Sequence, residues 1–385
     1  MKRNSLENLP TPSTSLVNVE SAKQRPVVKI AFLDVGQADT IIVSCSDTHE
    51  AIIVDCVNAD AVMDYLEQEQ IIYLRGVIVT HLHADHYAGV ADLLNNYGLV
   101  PNIQEGGRLA LNEFPNLRSP HKLSLDRDGH SASYEQPSVG AKRLAPSSLA
   151  KLALWSKQNL SSCVEIKEDG QRTHPPFVGT LAQNIQLLHP HHVNYSELKS
   201  IGLNNTSTVL RVKGSNSSAL LTGDIEPDGW QYLQENHLGL QCDVLKFPHH
   251  GGAWDEVDTN ILLDHLQPSV VVISVGTDNS YGHPSSGVFT ALHKRCDIRL
   301  LCTEATEQCQ HLVQSERSSV IHQLELQSKK SNNEFIPMKK QSCPCAGTVI
   351  IELGDKANVL QPEIRFHHET IIKPHFKRHK CNLNE

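Results

Sequence analysis

The chain has 385 residues, 39% of them hydrophobic and 20% charged, with a formal net charge of −9 and only 5% aromatics. That composition supports an ordinary globular core. It argues against a protein that grips nucleic acid by neutralising its backbone, which needs clustered Lys and Arg, and against rows of base-stacking rings. No run approaches the roughly 20 apolar residues that span a bilayer, so no membrane partner is expected.

Residues 1–26 are polar, carry Pro10, Pro12 and Pro26, and lack the apolar centre of a secretion signal. They read as the flexible leader of a cytoplasmic protein. From residue 27 short β-branched runs separated by polar turns predict strands at 27–33, 40–43 and 51–54. Apolar residues at 62, 63 and 66 predict a helix over 59–70. A strand at 76–79 runs into a histidine-rich loop, with a helix over 88–95 behind it.

The stretch 101–176 is rich in Ser, Pro, Gly and charge, with one helical piece at 147–160. It reads as an insertion, and loops of this kind often carry substrate recognition. Strands return at 184–188, as a hairpin at 208–212 and 219–221, at 244–247 and at 270–275. Helices are expected at 228–236 and 287–294. One further strand is expected at 347–352, before a basic, His-rich tail. Strand runs with helices between them, seen twice, predict two sheets packed together and covered by helices.

The chemistry concentrates at strand ends. His81-Leu-His83-Ala-Asp85-His86 places three imidazoles and a carboxylate directly after an apolar strand. On such a loop His81 and His83 turn one way while Asp85 and His86 turn another, which suits two adjacent cations of the zinc or manganese kind. Asp224, after Gly223 at the end of a strand, is placed to bridge them. Lys246-Phe-Pro-His249-His250-Gly-Gly252 and Asn279-Ser-Tyr-Gly-His283-Pro284 also follow apolar strands. His283 is expected to complete a metal shell. His249 and His250 either ligate metal or donate to a phosphoryl or leaving oxygen, and Lys246 adds positive field. His189, in His189-Pro-His191-His192, is either a further ligand or part of a solvated loop.

Ten cysteines are present. Cys45, Cys56 and Cys242 lie in apolar runs and read as buried small hydrophobes. Cys302, Cys309, Cys343 and Cys345 are either unrelated thiols or an additional structural zinc site, since cytoplasmic thiols stay reduced.

The ordered set Phe32-Leu-Asp-Val-Gly-Gln37, Thr80-His-Leu-His-Ala-Asp-His86, Asn204-Asn-Thr-Ser207, Leu221-Thr-Gly-Asp224, 243–251 and Tyr281-Gly-His-Pro284 resembles the metallo-β-lactamase superfamily. Within it the chain is most similar to the hydrolase domain of the competence DNA-uptake protein ComEC and its free-standing relatives. The resemblance covers about residues 27–301. It implies an α+β fold, an αββα sandwich of two mixed sheets covered by helices, with the site at one edge. It also implies that Asp55 is the buried carboxylate bracing the histidine loop. Gly36-Gln-Ala-Asp-Thr40 departs from the family's Gly-Gln-Gly-Asp-Ala, yet Asp39 is kept. The membrane channel of ComEC is not seen, so DNA transport is not implied.

The organisation expected is therefore a leader (1–26), a hydrolase domain (27–310) with a polar insertion (about 101–180), and a C-terminal extension (311–385) with a Cys pair and a basic tail. Two divalent ions, zinc or manganese, are expected: one on His81 and His83, the other on Asp85, His86 and His283, bridged by Asp224. The expected activity is metal-dependent hydrolysis of a phosphodiester, with DNA or RNA the leading substrate. Alternatives are a small-molecule phosphodiesterase, an ester or thioester hydrolase on the same fold, or a regulatory module with a protein partner in a defence-type system.

Overall fold

The computed structural model describes residues 27–98, 108–112, 147–166, 173–277, 279–306, 308 and 345–360. The leader, most of the polar insertion, Cys309, Cys343 and the basic tail lie outside the described residues. The first half of the chain forms β1 (Val28–Phe32), β2 (Ile41–Cys45), β3 (Glu50–Val54), α1 (Ala59–Gln68), β4 (Tyr73–Val79), α2 (Ala84–Tyr87), α3 (Val90–Asn96), β5 (Arg108–Leu111), α4 (Ser148–Gln158) and β6 (Cys163–Glu165). The second half forms β7 (Ile185–His189), α5 (Tyr195–Ile201), β8 (Val209–Lys213), β9 (Ser218–Leu221), α6 (Pro227–Asn236), β10 (Val244–Lys246), α7 (Glu256–Leu266), β11 (Val270–Ile273), α8 (Ser286–Lys294) and β12 (Arg299–Cys302). Two late strands follow, β13 (Val349–Leu353) and β14 (Ala357–Val359).

These strands make two mixed sheets. One runs β14-β13-β1-β2-β3-β4-β5-β6 and the other β12-β11-β10-β9-β8-β7. Alternation along each strand divides the apolar residues between layers. Val28, Ile30 and Phe32 of β1, and Ile52 and Val54 of β3, face the second sheet and meet Leu210, Val212, Leu221 and Val272 in one core. Ala31, Ile53 and Val77 face the other way, onto Val62 and Leu66 of α1 and Leu93 of α3. On the far side of the second sheet Leu245, Val271 and Ile273 pack under Trp230, Leu262, Leu266 and Leu292 from α6, α7 and α8. The result is the αββα sandwich.

Local signals set the helix starts. Asn58, Asp255 and Ser285 each accept from a backbone N–H in the first turn of α1, α7 and α8, satisfying one of the donors a helix start leaves open. Among the described residues no helix is long and apolar enough to cross a membrane.

Two parts of the expected organisation sit differently in the structure. The stretch read as an insertion supplies β5 and β6, which extend the first sheet in parallel from β4, and α4, which packs through Leu152 and Trp155 into the helical layer. The late strand assigned to the extension is β13, and it pairs antiparallel with β1 over its full length, Val28 opposite Leu353 and Phe32 opposite Val349. The fold therefore closes only when the chain returns from beyond residue 310. Ile351, wholly buried in the central core, tests this. Ile351→Ala is expected to lower the unfolding free energy by about 2–5 kcal/mol in urea titrations. An unchanged midpoint would mean that β13 adds nothing to the sandwich.

Candidate metal centre

The strands that carry the predicted motifs end at one edge of the sandwich. Val79 leads into Thr80 and the histidine loop, Leu221 into Asp224, and Lys246 into His250. These three strand ends and the Leu33–Asp39 turn bring acids and imidazoles together from four parts of the chain.

The histidine loop is braced from behind. Asp55 is buried in the left-handed backbone region at φ 59°. Its carboxylate accepts from the Thr80 backbone N–H at 2.7 Å, the Thr80 hydroxyl at 2.8 Å and His86 Nδ1 at 2.7 Å. The brace aims the other ring nitrogen of His86 at Asp224 Oδ2, 3.1 Å away. Burial opposes charge on His86, but the carboxylates of Asp224, Asp55 and Asp85 together raise its pKa well above the usual histidine range. His81 behaves oppositely. Burial, then the neighbouring His86 and His83, hold it well below that range, so its ring is neutral.

His250 is anchored in the same manner by a different partner. Its Nδ1 lies 2.8 Å from the Ser274 carbonyl oxygen. A carbonyl can only accept, so Nδ1 carries the proton. In the neutral ring Nε2 is then a bare lone pair, 3.6 Å from Asp224 Oδ2 and 3.8 Å from Asp85 Oδ2, and it has no hydrogen-bond partner. A lone pair facing two carboxylate oxygens inside a protein is repulsive unless a cation lies between them. His86 Nε2 stands 3.1 Å from Asp224 and 3.9 Å from Asp85. These separations straddle the roughly 3.3–3.6 Å edge of a tetrahedron whose metal–ligand bonds are about 2.0–2.2 Å. The backward bonds from Nδ1 to Asp55 and Ser274 are the outer contacts that ligating histidines use to fix ring orientation. The residues present thus fit a divalent cation. Among the described residues Asp39, His86, Asp224 and His250 form one buried group whose donor atoms lie within 4.8 Å of one another.

Lys246 completes the charge pattern. It is wholly buried. Its ammonium touches Asp39, donates to the Gly223 carbonyl at 2.9 Å and lies 3.5 Å from Asp224 Oδ1. Burial raises the pKa of both acids, but the positive charges of Lys246 and His86 oppose it, and Asp39 is lowered and Asp224 lowered strongly.

The backbone is shaped to permit this crowding. His249 and His250 are consecutive left-handed residues, with φ of 50° and 52°. Side chains rarely adopt that region, and such strain clusters at functional sites. Gly252 carries no side chain because a Cβ there would meet His283 Cε1 at 2.2 Å.

Set against the predicted residues, the structure gathers Asp85, His86, Asp224, His250 and Lys246, and it adds Asp39, whose signal was the Asp kept in the 36–40 turn. His81 Nε2 and His83 Nδ1 are 2.9 Å apart beside this group, with the Ser207 hydroxyl 3.3 Å from His81 Nδ1. His283 stands one step outward. Its ring is 5.4 Å from that of His249 and stacked on Tyr281 at 5.6 Å. The place beside Asp85 and His86 assigned to it from sequence is taken by His250. His249 lies at the mouth, 3.4 Å from Glu226 Oε1 and 3.3 Å from Asn204 Nδ2. His189 is buried, but its Nε2 is engaged with the Asn205 carbonyl at 2.8 Å, and the rings that act on its charge are His237 and His191. Burial pushes it down to about 4. Of the four late cysteines, Cys302 and Cys345 are buried and brought side by side by the bonds Ala346 N to Cys302 O (2.8 Å) and Cys345 N to Thr303 O (2.9 Å).

Sequence reasoning missed Asn112. Its amide donates to the carbonyls of Thr80 (2.7 Å) and Thr206 (2.6 Å), tying the two halves of the fold together beneath the loop. Its place directly after the short apolar run Leu109-Ala-Leu111 is the strand-end signal that could have found it.

Parts of the chain are similar to known proteins. The metallo-beta-lactamase superfamily profile matches residues 33–194. A stretch of 101 residues, 26% of the chain, is 37% identical to ComE operon protein 3 of Bacillus subtilis (strain 168), of which it covers 13%. A stretch of 110 residues, 28% of the chain, is 34% identical to Competence protein ComA of Neisseria gonorrhoeae and covers 16% of it. A stretch of 52 residues, 14% of the chain, is 44% identical to the Hydroxyacylglutathione hydrolase of Shewanella loihica (strain ATCC BAA-1088 / PV-4) and covers 20% of it. The chain thus spans only a small part of each relative's own length. The chain has two facing mixed sheets of the metallo-β-lactamase kind, and over residues 33–194 it is similar to that superfamily, with shorter stretches similar to its competence-protein members.

Proposed function

We propose that this metallo-hydrolase is a phosphodiesterase, with nucleic acid as its leading substrate. The observation that carries the hydrolase reading is the bare Nε2 of His250 facing Asp85 and Asp224. Asp85, His86, Asp224 and His250 would hold a divalent cation, zinc or manganese, which when bound supplies activated water and charge neutralisation for hydrolysis.

The chain's own groups divide the remaining work. Asp85 is the one acid of the group that solvent reaches, its side chain 35% exposed against 0% for Asp39 and 2% for Asp224. It is therefore placed to orient the attacking water. His249, 20% exposed at the mouth and flanked by Glu226 and Asn204, is placed to move a proton to the leaving oxygen. The buried ammonium of Lys246 keeps a positive charge beside the acids whatever the state of the surface. That local field answers the objection raised by a net charge of −9, because it acts where the phosphoryl oxygens would sit.

The similarity to the competence proteins favours a nucleic-acid diester. The match to a hydroxyacylglutathione hydrolase favours a thioester as the second reading.

Three measurements test this. Chelator-treated protein should lose hydrolysis of bis-p-nitrophenyl phosphate and recover it with manganese or zinc; activity that survives chelation would end the metal reading. His250→Ala and Asp85→Ala should each cost more activity than the roughly 10–100-fold typical of an outer contact, and Asp55→Asn should fall within that range, read as metal affinity as well as rate. Wild-type rates in either ligand variant would refute the assignment. Finally, single-stranded DNA, duplex DNA, RNA and cyclic dinucleotides should be cleaved in preference to a glutathione thioester. The reverse preference would move the protein to the second reading.

A further inference from the structure

At the edge that carries the candidate ligands, the inter-sheet core ends in a polar layer. In β5, Ala110 faces the second sheet while Leu109 and Leu111 face the helices. Alternation carried on by two residues therefore aims Asn112 between the sheets. The same count puts Thr80, two beyond Ile78, and Thr208, two before Leu210, on that face. β5 lies parallel to β4 with Leu111 opposite Val79, so Asn112 and Thr80 leave the sheet side by side. All three polar residues are buried.

A buried amide has to satisfy its two donors and its acceptor inside the protein. Asn112 does so across the join between the two halves of the fold. Its Nδ2 donates to the Thr80 carbonyl at 2.7 Å and to the Thr206 carbonyl at 2.6 Å, and its Oδ1 accepts from the Thr208 hydroxyl at 3.1 Å. Carbonyls can only accept, so the amide has one orientation here. The Thr208 backbone N–H adds a further bond to the Thr80 carbonyl at 3.0 Å.

Each carbonyl held in this way belongs to a segment that carries the site. Thr80 precedes the histidine loop, and its own N–H and hydroxyl donate to Asp55. Thr206 precedes Ser207, whose hydroxyl accepts from the Asp224 backbone N–H at 3.0 Å. The candidate ligands are divided between the same two halves, Asp85 and His86 on one, Asp224 and His250 on the other. Across the join His86 Nε2 stands 3.1 Å from Asp224 Oδ2. The spacing of the ligand set is thus fixed across a contact that Asn112 clamps.

We propose, resting on the hydrolase reading above, that Asn112 is a positioning residue for the metal centre, its amide holding the two ligand-bearing halves at the separation a divalent cation needs. Such preorganisation shows in affinity, because halves that are free to part must be drawn together when the ion binds.

The test is manganese binding by the full-length, chelator-treated protein, with electron paramagnetic resonance of the bound ion, at a temperature where circular dichroism shows each variant folded. Asn112→Ala should weaken manganese binding by about 10-fold or more, the lower end of the range for outer contacts, and alter the line shape of the bound ion. Asn112→Asp keeps the shape of the side chain but cannot donate to two carbonyls, and should do the same. Ile351→Ala, which trims the central core at β13, is the control. It should keep wild-type affinity and line shape although it lowers stability. If neither Asn112 variant folds, Thr208→Val, which removes the hydroxyl donated to the amide, should also weaken binding. Wild-type affinity and line shape in a folded Asn112 variant, or an equal loss in Ile351→Ala, would overturn the inference and leave the hydrolase reading standing. Failure of all the Asn112 and Thr208 variants to fold would overturn it too, since the clamp would then serve the fold rather than the site. A wild type that binds neither manganese nor zinc would sink the hydrolase reading and this inference with it.

Discussion

Four carboxylates, those of Asp39, Asp55, Asp85 and Asp224, converge at one edge of the sandwich, and three of them are buried to within 2% of complete. Like charges in a medium of low polarizability repel far more strongly than in water. The surrounding structure can be understood as an answer to that repulsion. Asp55 is satisfied by three hydrogen bonds, from Thr80 and His86. Asp39 and the Oδ1 of Asp224 have the Lys246 ammonium beside them as an ion-pair partner. What remains is the other half of Asp224, with Asp85 and the open nitrogen of His250, and this residue of unbalanced negative charge is where a cation belongs.

That constraint also accounts for the fold's less regular features. Asp55, His249 and His250 all occupy the left-handed region, a conformation that costs free energy for residues with a side chain. Asp55 lies immediately past β3, while His249 and His250 follow β10 by three and four residues. Hydrogen bonds tie Asp55 to Thr80 and His250 to the Ser274 carbonyl under the edge. The glycines serve the same end. Gly223 lies at φ 53°, and a Cβ there would meet Ser207 Cβ at 2.9 Å, so the turn into Asp224 closes against the Asn204–Ser207 segment only with glycine. Ser207 in turn accepts from the Asp224 backbone N–H at 3.0 Å.

Much of this was legible before the structure. Short β-branched runs between polar turns gave ten of the fourteen strands among the described residues, and the two-layer arrangement. The histidine loop and Asp224 were singled out by strand-end placement, and Asp55 by the family resemblance. His250 was not preferred over His283, because their order along the chain does not reveal two consecutive left-handed residues, and it is those residues that turn His250 inward. Helix α7 was missed because Val257 and Ile261 are exposed, at 65% and 55%, which blurs the apolar stripe made by Leu262, Leu263 and Leu266. The sheet-forming role of β5 and β6 was hidden by the polar sequence around them, and the return of β13 to pair β1 is a long-range contact that no local pattern encodes.

Lys246 is the instructive case. A lysine in an apolar strand, at the inward position two residues from Val244, is a local conflict with the binary pattern. Such conflicts mark strain or function, and the alternation alone indicates that the charge must be met inside the protein. The acids able to meet it are Asp39 and Asp224, at the ends of other segments. On the proposed reading, an anionic substrate at this edge would meet a field shaped by the buried ammonium of Lys246 and a bound cation rather than by the protein's surface. A strongly acidic exterior is then no obstacle at short range, since charges beyond about 8–10 Å are screened by salt while the buried pair is not. The same separation of scales suits a discriminating hydrolase. Long-range attraction for polyanions is weak, so binding would depend on groups that reach the mouth, and there the exposed Tyr281 and the half-buried His283 and His249 form a ring-lined approach on which specificity can be built without adding net positive charge.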